Sequence, residues 1–261
     1  MGLFDIFKKN KENETVEGNG GANFLENYFN SKFKISTDGV TYTSNDIARI
    51  EKNCAILEKM GLPSYKDLKL VPVDSNVTIE DKQELVLHMI FRFFVGRKTV
   101  NSLNNRSDTD DADVMMLAVK YAPEFNQLAS YLSAISKGEV ARKQLNEFFF
   151  FGEQATVLAW VLGLAEKPVE DKLTFGNDLV KIFETYNGIQ EIIDKSNLRS
   201  KEEILEYADY ISRLDFYFME LTLSKKDTDH VKNLNFDCVR EHKSIIDMVT
   251  SFNMDQYLNA K

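Results

Sequence analysis

The sequence is poor in the residue types on which much protein chemistry depends. Among 261 residues it has 2 cysteines, 3 histidines and 1 tryptophan. Cys54 and Cys238 lie far apart and lack C-x-x-C spacing, so neither a disulfide framework nor a zinc knuckle is indicated. The chain also lacks a Walker loop, a G-x-S-x-G elbow, a G-x-G-x-x-G turn and an H-E-x-x-H helix. We therefore predict no cofactor and no metal site, and a reducing cytoplasm fits the cysteine content.

Basic surface and long apolar runs are scarce as well. The net charge of −9 and the pI near 5.0 argue against a nonspecific nucleic-acid binder, which needs a concentrated basic surface. Residues 148–164 approach the length of a membrane span, but Glu153 and Gln154 interrupt them. The unbroken apolar run is about a dozen residues, whereas a span needs roughly 20. We predict a central buried helix here, in which both polar side chains have hydrogen-bond partners.

The first 22 residues differ in composition from the rest. Asp5 precedes any apolar core, so we expect no secretory signal. Residues 8–22 are predicted to be a flexible linker to a helical domain at residues 23–261. The opening GLFDIFKK resembles the start of the aurein membrane-active peptides. Four apolar side chains can contact a membrane surface weakly: Leu3, Phe4, Ile6 and Phe7. The alternative is a disordered or self-docked start.

A small β-hairpin is predicted near the beginning of the domain. Asp38 and Gly39 separate two β-rich runs, Phe33 to Thr37 and Val40 to Thr43. An Asp-Gly pair between such runs favours a two-residue hairpin turn. Strand signals stop after this point, so the predicted fold is mainly α, a single multi-helix domain with a small N-terminal β-hairpin.

Helical periodicity recurs from Asn45 to the C-terminus. The first helix is predicted from Asn45 to Met60, with Ser44 as its cap and Gly61 and Pro63 as its stop. Its expected buried stripe consists of Ile47, Ile50, Cys54, Leu57 and Met60. Further helices are predicted within residues 78–95, 114–121, 123–136, 148–164, 173–194, 201–221 and 237–252.

The segment from Leu198 to Leu221 carries the clearest pattern in the chain. Ser200 and Glu203 form an S-x-x-E capping box, which predicts a helix that begins near Lys201. Its apolar residues share one face: Ile204, Tyr207, Ala208, Ile211, Leu214, Phe218 and Leu221. The charges on the other side are interpreted as a solvated, ion-paired face.

Four blocks of sequence form a familiar pattern: Arg49, Leu57, Gly61 and Pro63; Ala155, Leu158, Trp160, Leu162 and Gly163; Leu198 to Leu214; and Val239, Glu241 and His242. From roughly Arg49 to Phe252 they resemble the domain-of-unknown-function family 4272, a bacterial and mostly helical family. Family members have a Trp-Arg pair and a Glu before the tryptophan helix, where this chain has Phe151, Gly152 and Gln154. They also have Glu-Arg before the final histidine, where this chain has Arg240 and Glu241. These departures favour a structural ion-pair network, or a degenerate paralogue, over an active site.

Charged residues of three segments form a candidate cluster. Its members are Glu153, Arg199, Asp209, Arg213, Glu241 and His242. A histidine beside carboxylates can act as a general base, and an arginine that is not neutralised can bind an anion. The alternative is tertiary bracing, because buried charges persist only when they are paired. We expect Arg213 to be structural, bridging Asp209 and an acid of the closing helix such as Glu241. Cys238 and His242 share a helical face, but two ligands do not make a metal site.

Two classes of function follow. The first is a non-catalytic bacterial interaction protein, an inhibitor or immunity-type partner of another protein, with no catalytic residue assigned. The second is an enzyme or a binder of small anionic ligands that uses the charged cluster in a pocket between helices. The expected location is the cytoplasm, with peripheral contact at the inner membrane face through the N-terminus.

Overall fold

Helices make up most of the part of the protein that the structure describes, as the sequence predicted. A computed structural model describes residues 33–35, 40–66, 68, 71–104, 116–121, 123, 125–224, 233–252 and 258–260. The helices are α1 Ser44–Lys59, α2 Lys82–Leu103, α3 Asn126–Ser136, α4 Arg142–Phe148, α5 Phe151–Val161, α6 Val180–Thr185, α7 Ile189–Lys195, α8 Lys201–Ser224 and α9 Phe236–Val249. Short 3-10 turns lie at Asp74–Asn76 and Asn177–Leu179, and residues 116–119 are helical.

Two compact units divide the chain, where the sequence predicted one helical domain. The first comprises Met1–Thr78, Leu205–Lys232 and Thr250–Lys261, and the second Ile79–Ile204 and Asn233–Val249. Each unit therefore combines segments that are distant in sequence, and periodicity within one helix does not reveal such groupings. The boundary predicted at residue 22 lies outside the described residues.

Helix α1 of the first unit buries a polar face. Thr43 is its cap, in place of Ser44, and forms a reciprocal capping box with Asp46. Cys54 and Leu57 are buried as predicted, but Ile47 is 49% exposed and Met60 is 43% exposed. Their expected places in the core are taken by Asp46, Arg49 and Asn53. The apolar pattern misled the prediction because these polar side chains have hydrogen-bond partners inside the unit.

The capping box predicted at the start of α8 is present. Ser200 N donates to Glu203 Oε2 at 3.1 Å, and Glu203 N donates to Ser200 Oγ at 3.3 Å. The predicted apolar stripe is buried throughout. The solvated-face interpretation is wrong for Asp209, Arg213 and Glu220, because every residue in 207–221 is buried. It holds only in the first turns of the helix, where Glu202 is exposed and Glu206 is half-buried. A charged helix face can be buried when its charges pair with one another.

Helix α5 is the central buried helix of the second unit. Residues 152–162 are all buried, and α5 packs against α2 and α9, while α3, α4 and α7 pack against α2. Helix α2 continues to Leu103, beyond the predicted end at Val95. Gly96 permits the approach of α2 to α5, because a Cβ on it would lie 2.5 Å from Gly152 N. None of the described helices combines the length and apolar composition that spanning a bilayer requires.

The predicted hairpin is not found among the described residues. Phe33–Ile35 pairs antiparallel with Leu258–Ala260, and residues 40–43 form no strand. The predicted turn at Asp38 and Gly39 lies outside the described part. The strand partner of Phe33–Ile35 is thus a segment near the opposite end of the chain, which a short-range pattern does not reveal.

Candidate functional site

The six residues of the predicted charged cluster fall into different units. Asp209 and Arg213 belong to the first unit, and the other four, Glu153, Arg199, Glu241 and His242, belong to the second. The apolar residues Leu3, Phe4, Ile6 and Phe7, predicted to contact a membrane, lie outside the described residues.

Arg213 and Asp209 form a fully buried ion pair in the first unit. Arg213 Nη2 donates to Asp209 Oδ1 at 2.9 Å, and Nε lies 3.1 and 3.0 Å from the two carboxylate oxygens. Asn53 Nδ2 of α1 donates to Asp209 Oδ2 at 2.8 Å and to Glu206 O at 2.9 Å. The pair therefore ties α1 to α8.

The remaining contacts of Arg213 hold the chain that follows α1. Its Nη1 donates to Ser64 O at 3.0 Å and to Tyr65 O at 2.5 Å. Tyr65 has φ 48, a conformation that is uncommon for a residue of this size. Its hydroxyl donates to Glu220 Oε2 at 2.5 Å. Burial is the main cause that raises the pKa of Tyr65, and the hydrogen bond to Glu220 raises it further. Arg213 thus bridges Asp209 to backbone carbonyls, where the prediction placed Glu241.

Asp46 and Arg49 form a second buried charge pair in the first unit. Asp46 Oδ2 accepts from Thr43 N at 2.8 Å, and Oδ1 accepts from Asp74 N at 3.0 Å and from Arg49 Nη2. Burial on its own raises the pKa of Asp46, but the hydrogen bonds from Thr43, Asp74 and Arg49 outweigh it and hold the pKa below the ordinary value.

Arg199 closes the C-terminal end of α5 in the second unit. Its Nε donates to Trp160 O at 2.9 Å and its Nη2 to Ala165 O at 3.4 Å, and the guanidinium carbon lies 5.4 Å from the Trp160 ring centroid. Gly163 follows the end of α5 in the left-handed conformation, with φ +68, which ends the helix. A Cβ at this position would lie 2.3 Å from Asn197 O. Arg199 and Gly163 are therefore explained by local structure.

Glu153, Cys238 and His242 converge in the core of the second unit. Glu153 is on α5, while Cys238 and His242 are one turn apart on α9, and all three are buried. His242 Nε2 lies 2.8 Å from Glu153 Oε1 and 3.4 Å from Cys238 Sγ, and Sγ lies 3.6 Å from Oε1. Burial and Glu153 raise the pKa of the Cys238 thiol. The partner predicted for Glu153 is thus a histidine from a distant segment.

The second carboxylate oxygen of Glu153 is held by the segment before α6. Oε2 accepts from Thr174 N at 2.6 Å, Thr174 Oγ1 at 3.1 Å and Phe175 N at 3.2 Å. Burial raises the pKa of Glu153, but His242 and these backbone donors outweigh it, so that the pKa lies below the ordinary value. Phe175 has φ 52, and its carbonyl oxygen would lie 2.4 Å from a Cβ on Gly152.

The Cys-His-Glu trio is not arranged as a nucleophilic triad. In a triad the nucleophile and the acid contact opposite ring nitrogens of the histidine, whereas here both lie at Nε2. The three donor atoms instead surround a common point, all within 4.8 Å of one another. The sequence offered only the i, i+4 spacing of Cys238 and His242, and no local signal linked Glu153 to them.

A family model described as domain of unknown function, DUF4272, matches residues 49–244 of this chain. The chain belongs to the DUF4272 family. The match covers most of the chain and confirms the resemblance found in the sequence. No curated protein and no solved structure matches the chain.

Two of the departures from the DUF4272 pattern contact each other. Gln154 Nε2 donates to Glu241 Oε2 at 2.7 Å, and Arg240 Nε lies 3.3 Å from Glu241 Oε1. A neutral amide thus faces a carboxylate at two of the positions that the sequence analysis marked as departures. Glu241 is therefore satisfied within this DUF4272 chain by Gln154 and Arg240, and Gln154 also accepts from Arg92 Nε at 2.8 Å.

Proposed function

We propose that this protein acts by binding another protein and that it is not an enzyme. The observation that carries the proposal is the complete burial of the Arg213–Asp209 pair, whose polar atoms are engaged with one another, with Asn53 and with backbone carbonyls. A group that acts on a substrate has to be reachable by it, whereas a group with this environment supports the helices around it.

The second unit supports the same proposal. Arg199 is engaged by the end of α5, and Glu153 and His242 are both fully buried and in contact with each other. The charges left for recognition are those on the surface, and the net charge is −9. An acidic surface favours a partner with a basic one, because complementary charge accelerates encounter and selects the partner. An inhibitor or immunity-type protein in the bacterial cytoplasm would act in this way.

Affinity capture at two ionic strengths, followed by binding of the purified proteins, tests the proposal. The full-length protein should capture a defined partner from an extract of its host at low salt, and the same two proteins should bind directly in calorimetry. A triple variant of the exposed acids Glu139, Glu147 and Glu184 to Lys should weaken that binding, whereas exposed Lys137, Lys143 and Lys181 changed to Glu should not. A purified protein that turns over a substrate and loses this activity in His242→Gln would contradict the proposal.

A small anion is the second candidate ligand, and Arg92 is the observation that favours it. Its partners are Gln154 Oε1, His88 Nδ1 and Met248 Sδ, at 2.8, 3.0 and 3.7 Å, and none of them is an anion. Among the described residues, these contacts of Arg92 include no carboxylate. Burial lowers the pKa of Arg92 to about 10, which still leaves it charged at neutral pH. A guanidinium without a counter-ion can bind an oxyanion by donating hydrogen bonds to it.

Calorimetric titration with inorganic phosphate tests this second candidate. Arg92→Gln should abolish phosphate binding, whereas Arg240→Gln should preserve it, because Arg240 is already paired with Asp237 and Glu241. Absence of phosphate binding by the unaltered protein, or equal binding by both variants, would remove the anion site.

A further inference from the structure

We propose that Glu153, Cys238 and His242 form a binding site for one divalent transition-metal ion of the zinc class. The three residues supply a carboxylate oxygen, a cysteine sulfur and an imidazole nitrogen, which are the donor types that zinc takes in proteins. Binding of the ion would displace the Cys238 thiol proton to solvent and leave the thiolate as the ligand. Oxygen-seeking ions such as Mg²⁺ and Ca²⁺ are disfavoured by a set that contains sulfur and nitrogen. The site lies wholly within the second unit.

The spacing of the donor atoms agrees with tetrahedral coordination. Zinc bond lengths of about 2.0 to 2.3 Å at tetrahedral angles place ligand atoms about 3.3 to 3.6 Å apart. Cys238 Sγ lies 3.4 Å from His242 Nε2 and 3.6 Å from Glu153 Oε1, both close to those separations. The Nε2 to Oε1 distance of 2.8 Å is that of a hydrogen bond. Replacing the shared proton by an ion requires these two atoms to separate by only about 0.5 Å.

The carboxylate is held in the orientation that a ligand requires. Its Oε2 accepts three hydrogen bonds from Thr174 and Phe175, which leave Oε1 directed at the histidine and the cysteine. Groups that orient a ligand in this way raise metal affinity. Phe175 adopts φ 52 in making its contact, and Gly152 leaves space for the carbonyl of Phe175. A bulky residue in this conformation indicates a constraint imposed by its surroundings.

The environment of the three residues indicates a structural ion. All three side chains are fully buried, and structural zinc sites are closed, whereas catalytic sites keep an open position for substrate. The carbonyl oxygen of Val169, 3.3 Å from Cys238 Sγ, or a water can complete the coordination. An ion at this point would join α5, α9 and residues 169–175. Entry is available through residues 169–172, because Val169, Asp171 and Lys172 are exposed.

Metal titration of the full-length protein tests the site. After dialysis against a chelator, the protein should bind one equivalent of Zn²⁺ or Co²⁺, and the Co²⁺ form should show the charge-transfer absorption of a cobalt–thiolate bond. Cys238→Ser should lose that absorption. Cys54→Ser is the matched control and should keep it, because Cys54 is also free and buried but contacts the carbonyl of Ser64 in the first unit. His242→Gln and Glu153→Gln should each weaken binding at least tenfold.

Thermal unfolding of the unaltered protein gives a second readout that needs no variant. Zn²⁺ at a hundredfold excess over its Kd should raise the Tm by about 5 °C or more. Circular dichroism before and after chelation distinguishes loss of metal from loss of fold in the variants. Absence of a stoichiometric ion and of any Tm shift in the folded, unaltered protein would overturn the proposal. Equal cobalt absorption in Cys238→Ser and Cys54→Ser would overturn it as well.

Discussion

Arg213 contacts Asp209 one turn earlier on α8 through both Nε and Nη2, and both side chains have zero exposure. The same guanidinium donates to the carbonyls of Ser64 and Tyr65, so one side chain joins a helix to the segment that follows another helix. A pair of this kind neutralises its own charge, and removal of one member leaves the other charge buried and unpaired.

Arg213→Ala should therefore be strongly destabilising. We expect the free energy of unfolding to fall by about 4 kcal/mol, because Asp209 would remain buried without its counter-ion. Chemical denaturation measures the loss. Lys52→Ala is the control, since its pair with Glu206 has side-chain exposures of 57% and 37%. That variant should lose under about 1 kcal/mol. Similar small losses in both variants would contradict the bracing role of Arg213.

Asp46 should make the protein sensitive to acid. Its folded pKa lies below the ordinary value of 3.8, so its contribution to stability is complete above the unfolded pKa and is lost as pH falls through the folded pKa. The difference in free energy of unfolding between the unaltered protein and Asp46→Asn should stay constant down to about pH 5 and then shrink below about pH 4. Urea denaturation across this range measures it. A difference that does not change with pH would show that folding does not lower the pKa of Asp46.

Two glycines with the same backbone conformation should respond differently to alanine. Gly138 has φ +69 with no atom within 4 Å of a Cβ, so Gly138→Ala should cost about 1 kcal/mol through the left-handed conformation alone. Gly163 has φ +68, but its Cβ would lie 2.3 Å from Asn197 O. Gly163→Ala should cost about 2 kcal/mol more than Gly138→Ala, because backbone has to move. Equal melting temperatures for the two variants would show that the backbone near Gly163 adjusts to the added Cβ without loss of stability.

The N-terminal segment yields a prediction from sequence alone. Deletion of residues 1–22 should leave the Tm within a few degrees, because residues 8–22 offer almost no apolar surface to bury. The same deletion should abolish weak binding to anionic vesicles if Leu3, Phe4, Ile6 and Phe7 contact membrane. Phe4→Ser with Phe7→Ser is the matched change in the full chain. Unchanged vesicle binding in either variant would exclude membrane contact through this segment.

Helix positions followed from sequence where the deciding signal is local. The Ser200–Glu203 box set the start of α8, and its apolar stripe was correctly predicted as core, because capping and periodicity depend on residues three or four apart. The same rules failed for α1, where Ile47 is exposed and Asp46 is buried. Apolar periodicity does not register a polar side chain whose partners make burial tolerable.

The residues of the candidate site also follow partly from local sequence and partly from tertiary packing. The sequence by itself determined that Glu153 would be a polar group inside an apolar helix and would need a partner, because a buried carboxylate without hydrogen bonds is too costly to persist. Only the tertiary structure decided that this partner is His242 on α9, with Cys238 beside it, and that Arg213 uses backbone carbonyls where Glu241 was expected. The partner of a buried charge depends on which segments meet in space, and a helical period carries information about one helix only. The packing of α5 against α9 brings His242 to Glu153, and the chain that follows α1 brings its carbonyls to Arg213.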